Sequence, residues 1–487
     1  MQAQKISIKK LDVKRFNVLV GQSRSPAAAY VSKELEWYAN EDETIIGILL
    51  LDTVDDDFLA IVMARDEGDR FCAFDIEVAF PTEQDARNWL INAMKWHTGT
   101  GLETYPQGHK PRGPDLFTPR LPPEELHPMF VLLARDPTFY PARSVIKEVM
   151  PHFVDVDGNF VEQFQSRGFD ARLWELYLYA YLSEEELFLD RSFASPDFLV
   201  KKYGKSVAIE AVIAGRKDDN PPLYLKPFSR GKTAEEVLEA QKDYIPIIFG
   251  SPLYSKLKKR YWELPHVKDK PLILAIADFH DDESMLWTST ALSNYLYGTR
   301  YDWHHDDEGK LILTPSKIDN HQLGKKQIPS GFFFQPDAEY ISAVLFSASG
   351  TISKFNRMGR QAGFYNPDIK MIRIGQCYNQ EPHAARPKVF RYTVDETCEE
   401  TWAEGLSMFH NPRAVYPVPE DLFPSIAHHK FRDKLIVSRT PDFHPFSSVT
   451  LNVTSYGQKP QDDFASRVKR HESELAFTDR GILIGGY

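Results

Sequence analysis

Three acidic residues in the middle of the chain stand where a carboxylate needs a charged partner. Glu175 lies within residues 169–182, a run that is apolar on nearly all sides and is therefore predicted to be a buried helix. Asp197 and Glu210 lie in two short apolar segments that are typical of strands. A buried carboxylate without a partner is costly or becomes protonated. Each position therefore indicates an ion pair, such as Glu175 with Arg172 one turn earlier, or a bound cation.

The register of a predicted hairpin puts Asp197 opposite Glu210. Gly204 is predicted to lie in a two-residue turn, since glycine adopts the backbone angles that such turns require. Counting outward from this turn pairs Phe198 with Ile209 on the core face, and Asp197 with Glu210 on the other face. Two facing carboxylates repel, and a Mg²⁺ ion between them would remove the repulsion. The alternative is that Asp197 only begins its strand and that Glu210 pairs with a nearby Lys or Arg.

The order of these elements resembles the PD-(D/E)XK, or restriction-endonuclease-like, nuclease superfamily. The resemblance covers residues 169–279 and rests on Glu175, Pro196-Asp197 and Glu210, followed by helices and an apolar strand at 271–279. It implies a central mixed sheet flanked by helices. It also implies Mg²⁺- or Mn²⁺-dependent hydrolysis of phosphodiester bonds in nucleic acid, with DNA favoured over RNA. The three carboxylates would be catalytic and would hold the metal, and defence against foreign DNA would suit such a protein.

One position departs from the pattern of this superfamily. A lysine is expected two residues after the Glu, but the chain has Val212 there. A helix predicted at 251–264 offers Lys256 and Lys259 as replacement catalytic residues, and the resemblance extends to members whose lysine has moved to a neighbouring helix. The simpler interpretation is a solvated basic helix face. In that case the chain would be a catalytically degenerate module that binds nucleic acid or a protein partner.

A second basic cluster follows the strand predicted at 341–347. Lys354, Arg357 and Arg360 would project together from a helix, and hydroxyls and backbone amides at its start would suit a phosphate oxygen. The cluster is therefore a candidate nucleic-acid-binding site, with an ordinary solvated turn as the alternative.

Histidines give a third and separate hypothesis. They occur at 304–305 before two aspartates, at 410 and at 428–429, and could centre a different metal-dependent hydrolase. Adjacent residues seldom point at one ion, and no HExxH helix is present.

The length of 487 residues predicts several α/β domains rather than one core. We expect an N-terminal α/β domain of unknown role at 1–150 and the nuclease-like core at 151–290. A β-rich region at 291–487 would serve substrate binding or assembly.

Five elements are predicted within the N-terminal domain. A helix is expected to start within residues 30–38. A three-strand meander is expected at 44–51, 58–65 and 71–80, followed by an amphipathic helix at 82–97.

Composition limits the class of protein and its surroundings. The chain carries a formal net charge of −11, which argues against a protein that coats nucleic acid nonspecifically but allows one local basic groove. Three cysteines without a CxxC pair indicate a reducing cytoplasm. No apolar run is long enough for a membrane span, so no membrane association is expected. Nucleic acid is the expected partner, and assembly as a homodimer is left open.

Overall fold

The structure is a computed structural model, and it describes residues 6–108, 113–216, 233–281 and 284–454. In these residues the strands β1 to β20 are Ile8–Lys10, Ser32–Asn40, Ile45–Asp52, Asp57–Arg65, Phe71–Phe80, Phe188–Asp190, Phe198–Lys202, Lys205–Ala214, Leu272–Asp278, Thr299–His305, Leu311–Lys317, Asn320–Leu323, Lys326–Pro329, Ala343–Ser347, Ile369–Cys377, Lys388–Thr393, Leu406–His410, Ala427–Arg432, Leu435–Arg439 and Pro445–Thr454. The helices α1 to α10 are Val13–Val20, Glu83–Thr100, Pro128–Arg135, Tyr140–Val149, Phe160–Gln165, Phe169–Glu184, Ala234–Lys242, Tyr244–Leu257, Ser289–Tyr297 and Ile352–Gln361.

The N-terminal part is a five-stranded antiparallel sheet in the order β1-β2-β3-β4-β5, with α2 packed against it. The predicted meander corresponds to β3, β4 and β5. The predicted amphipathic helix corresponds to α2, and its first turn is capped by the Thr82 side chain, which accepts a hydrogen bond from the backbone N–H of Asp85. Gly47 lets α2 approach β3, because a Cβ there would lie 2.5 Å from the sulfur of Met94.

The helix expected to start within residues 30–38 is wrong, because most of this segment belongs to β2. Its Lys, Glu and Leu content favours a helix locally. In the fold, however, β2 pairs with β1 on one side and with β3 on the other. Backbone pairing on both edges outweighs a weak local preference, since sheet context dominates strand formation.

The centre of the protein is an eight-stranded mixed sheet in the order β19-β18-β17-β14-β9-β8-β7-β6. β8, β9 and β14 run parallel, whereas β7 and β17 are antiparallel to their neighbours β8 and β14. The boundary predicted at residue 290 therefore lies inside one sheet, since β14, β17, β18 and β19 follow it in sequence. The reason is that β9 is buried along its whole length and pairs through its backbone with β8 on one edge and with β14 on the other.

Residues on both sides of the boundary predicted at residue 150 share one apolar core. α3 and α4 precede this boundary, yet Phe130, Leu133, Val145 and Ile146 belong to the same apolar core as the central sheet. The N-terminal sheet has separate clusters of its own. The fold class is thus mixed α/β with several sheets, as predicted. No helix in the described part of the chain is long and apolar enough to cross a membrane.

Candidate active site

The hairpin of β7 and β8 brings Asp197 and Glu210 to the same sheet position. Phe198 pairs with Ile209 as the register count predicted, so Asp197 stands one residue before β7, beside Glu210 in β8. One carboxylate oxygen of Asp197, Oδ2, accepts a hydrogen bond from the backbone N–H of Ala211 at 2.7 Å. Burial raises the pKa of Asp197 to about 7, and the negative charges of Glu210 and Glu175 contribute to the rise.

Glu210 is buried, and both of its hydrogen-bond donors come from the region of α8. The ammonium of Lys256 forms an ion pair with Oε1 of Glu210, and the hydroxyl of Tyr261 donates to the same oxygen at 2.6 Å. The other carboxylate oxygen, Oε2, is buried and has no hydrogen-bond partner within the described residues. Burial and the charge of Glu210 raise the pKa of Tyr261 well above its ordinary value, so Tyr261 is a neutral donor.

The position of the superfamily's lysine is apolar in this protein. Val212 is buried on the same strand face as Glu210, two residues further on. The cation at Glu210 therefore comes from a different element. Of the two lysines predicted as replacements, Lys256 reaches Glu210, whereas Lys259 is exposed and its ammonium lies 5.6 Å from the ring centre of Tyr261.

The helix predicted at 251–264 has different bounds. α8 begins at Tyr244 and ends at Leu257, and Ser251 is not a cap, since its hydroxyl donates to the carbonyl of Ile247 within the helix. Three residues after the helix ends, the chain changes direction at Arg260, which has a positive φ of 51°. Lys256 thus lies in the last turn, where the helix dipole favours a cation. Lys259 lies beyond the helix, so the two lysines do not share one helix face.

Tyr261 is a site residue that the sequence did not indicate, since it falls among the apolar positions Leu253, Leu257 and Leu264 of the predicted helix. Its hydroxyl is the group that matters here, and a tyrosine in an apolar stripe gives no signal of which polar atom it meets. The sequence feature that could have indicated Tyr261 is its position directly after the basic residues 258–260.

Glu175 is buried in α6 and held by two arginines. Arg172 donates to its Oε2 at 2.7 Å, which is the predicted alternative ion pair, and Arg191 donates to its Oε1 at 2.6 Å. A small cavity is lined by both Glu175 and Asp197. Within the described ranges, no group of three or more His, Cys, Asp and Glu side chains is arranged to hold a metal ion. The predicted three-carboxylate metal group is therefore reduced to Asp197 and Glu210.

Those two carboxylates suit a hard divalent cation. Mg²⁺ is usually held by one or two carboxylates, with water completing its shell. The unpartnered Oε2 of Glu210 is an acceptor in a buried position, and Asp197 has its pKa raised by neighbouring negative charge. A cation between the two groups would supply the missing partner and relieve the repulsion.

The basic cluster predicted to contact nucleic acid is not on the surface, which corrects that prediction. The side chains of Lys354 and Arg357 in α10 are buried, and both form ion pairs with Glu400, at 2.6 and 2.7 Å. Arg360 is partly buried and pairs with Glu396 at 2.9 Å. Buried cations that neutralise a buried carboxylate cannot reach a phosphate, so this cluster has a structural role.

The predicted histidines do not form one group, since His304 and His305 are exposed, whereas those at 410, 428 and 429 are hydrogen-bonded inside the protein. His410 and His428 are bonded to each other at 2.8 Å, and His428 also bonds to the carbonyl of Phe423. Burial lowers the pKa of His410 to about 4 and lowers that of His428 as well, so both rings are neutral.

The strongest chemical arrangement thus consists of Asp197, Glu210, Lys256 and Tyr261, with Glu175 beside it. Comparison of the chain with protein-family models, with curated proteins and with solved structures finds no match.

Proposed function

We propose that this protein is a Mg²⁺- or Mn²⁺-dependent nuclease of the PD-(D/E)XK type that hydrolyses phosphodiester bonds, with DNA favoured over RNA as substrate. The observation that carries the proposal is the ion pair between Lys256 and Glu210, next to Asp197. A cation from a neighbouring helix thereby stands at the carboxylate pair, although Val212 occupies the usual lysine position.

The order of the elements supports the same proposal. α6 carries Glu175, the hairpin of β7 and β8 carries Asp197 and Glu210, and α8 carries Lys256. β9 then runs parallel to β8 in the central sheet. We propose that α6, the β7–β8 hairpin, α8 and β9 form a restriction-endonuclease-like core within the larger sheet.

Each of the site residues would have its own role in the proposed hydrolysis. Asp197 and Glu210 would hold the metal ion, which when bound supplies positive charge at the transferring phosphate and a more acidic water. The ammonium of Lys256 would hold the attacking water and stabilise negative charge that develops on the phosphate. Tyr261 fixes the Glu210 carboxylate by its hydrogen bond at 2.6 Å, and so keeps Oε2 directed away from Lys256.

The test is cleavage of supercoiled plasmid, single-stranded DNA and RNA by the full chain, with Mg²⁺ or Mn²⁺ and with EDTA. We expect metal-dependent cleavage that is lost in Asp197→Asn and in Glu210→Gln. Asp190→Asn is the matched control, since Asp190 lies in the neighbouring strand β6 and pairs with Lys201 at 3.2 Å. Cleavage that survives both site substitutions, or that persists in EDTA, would refute the proposed site.

A second candidate is a nuclease-fold module that binds nucleic acid or a protein partner without catalysis. It is favoured by Val212 at the lysine position and by the two-carboxylate rather than three-carboxylate group. This candidate predicts retention of labelled oligonucleotides in gel-shift experiments with no cleavage under any metal. Turnover that depends on Lys256 would exclude it.

A further inference from the structure

The inference concerns Arg191, which lies directly after β6 and reaches the cavity next to Asp197. Its side chain is 10% exposed, and its Nη2 donates to Glu175 at 2.6 Å. The guanidinium lies 4.2 Å from the ring centre of Phe153 and 4.9 Å from that of Phe198. These two rings and the carboxylate hold the guanidinium in place.

Most of the hydrogen-bonding capacity of Arg191 is unused. Its Nε and Nη1 atoms are buried and have no hydrogen-bond partner in the part of the chain that the structure describes. Buried charged donors without acceptors are unfavourable, so their retention requires a reason. Arg191 therefore differs from an arginine whose role ends at pairing with Glu175.

Arg172 provides the comparison within the same site. It pairs with the same carboxylate, but all three of its nitrogens are committed within the protein. Nε donates to Gln163, Nη1 donates to Glu175 and Nη2 donates to Asn159. Neutralising Glu175 thus requires no spare donors, and the spare donors of Arg191 point to a ligand that the protein itself does not supply.

The cavity limits what that ligand can be. The centres of water-sized groups can occupy about 20 Å³ of it, and its charged lining consists of four carboxylates and two arginines, namely Asp155, Asp157, Glu175, Asp197, Arg172 and Arg191. This space is enough for a small group such as a water molecule or a single oxygen atom. A non-bridging phosphate oxygen matches both the size of the cavity and the charge of the free guanidinium donors.

We infer that Arg191 is a phosphate-contacting residue, which donates to a backbone phosphate of the nucleic acid that lies beside Asp197. The inference rests on the proposed nuclease function and deepens it, because it assigns a sequence-independent contact to the site. Recognition here would be of the phosphodiester backbone and not of a base.

The experiment compares Arg191→Gln with Arg172→Gln, which each remove one positive charge and leave Glu175 with one arginine. Binding of a fluorescent oligonucleotide is measured over a series of salt concentrations in EDTA. We expect Arg191→Gln to reduce the slope of log affinity against log salt by about 0.7 to 0.9, the contribution of one phosphate. Arg172→Gln should keep the slope of the unmodified protein. Thermal unfolding, with Arg191→Lys as a charge-retaining variant, checks that the fold persists.

The outcomes separate this inference from the proposed function. If the protein cleaves and Arg191→Gln keeps the original slope, the phosphate contact is overturned and the nuclease stands. If the protein never cleaves, but the salt slope falls in Arg191→Gln and not in Arg172→Gln, the phosphate contact is supported and catalysis is refuted. Absence of all oligonucleotide binding would overturn both. If inorganic phosphate alone stabilises the protein as strongly as the oligonucleotide does, the ligand is free phosphate and the backbone contact is overturned.

Discussion

At the residue scale, Asp197 and Glu210 differ in the number of hydrogen-bond donors that their carboxylates receive. Glu210 has two donors on one oxygen, from Lys256 and Tyr261, whereas Oδ2 of Asp197 accepts one hydrogen bond within the described residues, from the backbone N–H of Ala211. Burial and the neighbouring carboxylates raise the pKa of Asp197. The arrangement leaves one buried oxygen of Glu210 without a hydrogen-bond partner in the described residues and raises the pKa of the neighbouring Asp197.

The first prediction at this scale concerns the relocated lysine. Lys256→Met should lower metal-dependent cleavage by at least about 100-fold, because a positioned cation at the reacting group is lost. Lys259→Met is the matched control and should retain activity, since Lys259 is exposed and contacts the ring of Tyr261 instead. Adding Val212→Lys to the Lys256→Met variant should restore part of the rate. Initial rates of oligonucleotide cleavage measure all three, and equal loss in both single variants would contradict the assignment.

The second prediction concerns the pH dependence of stability without metal. The folded pKa of Asp197, about 7, lies above its unfolded value, so the folded protein binds the extra proton and is favoured at low pH. The free energy of unfolding contributed by this group should therefore fall as the pH rises from about 4 to about 7. A rise of about three pKa units corresponds to about 4 kcal/mol before solvent screening is allowed for. After that allowance, Asp197→Asn should remove a fall on the order of 2 kcal/mol.

Urea unfolding in EDTA at several pH values measures this difference. Asp190→Asn is the control, because hydrogen bonds from Ser192 lower the pKa of Asp190 and place its contribution below this pH window. A steeper fall in Asp197→Asn than in the unmodified protein would contradict the assigned cause.

At the element scale, α10 is anchored through buried charge rather than through apolar contact alone. Lys354 and Arg357 in α10 and Arg373 in β15 surround Glu400 in the protein interior. Coulombic attraction from these cations holds the pKa of Glu400 well below its usual range, against the opposing effect of burial. The cluster fastens α10 to β15 and to the segment around Glu400, which explains why its cations are unavailable to a ligand.

The prediction that belongs to this scale is a loss of stability on removal of Glu400. Glu400→Ala should lower the free energy of unfolding by about 3–5 kcal/mol, because it leaves buried cations without their carboxylate. Glu399→Ala changes the adjacent exposed residue and should have an effect within about 0.5 kcal/mol. Denaturant unfolding followed by circular dichroism compares the two, and a similar small effect of both would show that the network contributes little.

At the scale of the whole molecule, the candidate site lies in a sheet built from both halves of the chain. Glu210 lies in β8, which pairs with β9. On its other edge β9 pairs with β14, and β17, β18 and β19 follow in the sheet. One apolar core includes residues from Leu116 to Ile426. The proposed nuclease core is therefore not an independent unit of the chain.

This continuity gives a prediction about fragments. A fragment of residues 1–290 should not unfold cooperatively at the midpoint of the full chain, because β9 would lose its partner β14 and expose an unpaired backbone edge. The fragment 291–487 should fail likewise, and the two fragments expressed together should recover at least part of the cooperative transition. Limited proteolysis and thermal unfolding test this, and a fragment 1–290 as stable as the full chain would contradict it.

The features of this protein that depend on neighbouring residues follow from the amino-acid sequence alone. The hairpin register follows from a two-residue turn with Gly204, and it placed Asp197 opposite Glu210 before any tertiary contact was considered. The buried α6 follows from a segment that is apolar on all sides, and Lys256 was named as one of two cations near Glu210. These inferences succeed because turn geometry and side-chain periodicity are properties of neighbouring residues.

Tertiary structure decided which groups those residues meet. The choice of Lys256 over Lys259 depends on where α8 ends, and the burial of Lys354 and Arg357 depends on Glu400, which lies more than 40 positions away. The spare donors of Arg191 and the hydroxyl of Tyr261 at Glu210 arise from contacts between elements distant in sequence. Pattern in a sequence shows which faces are apolar, but the partner of a charged group is set by chain segments that only folding brings together.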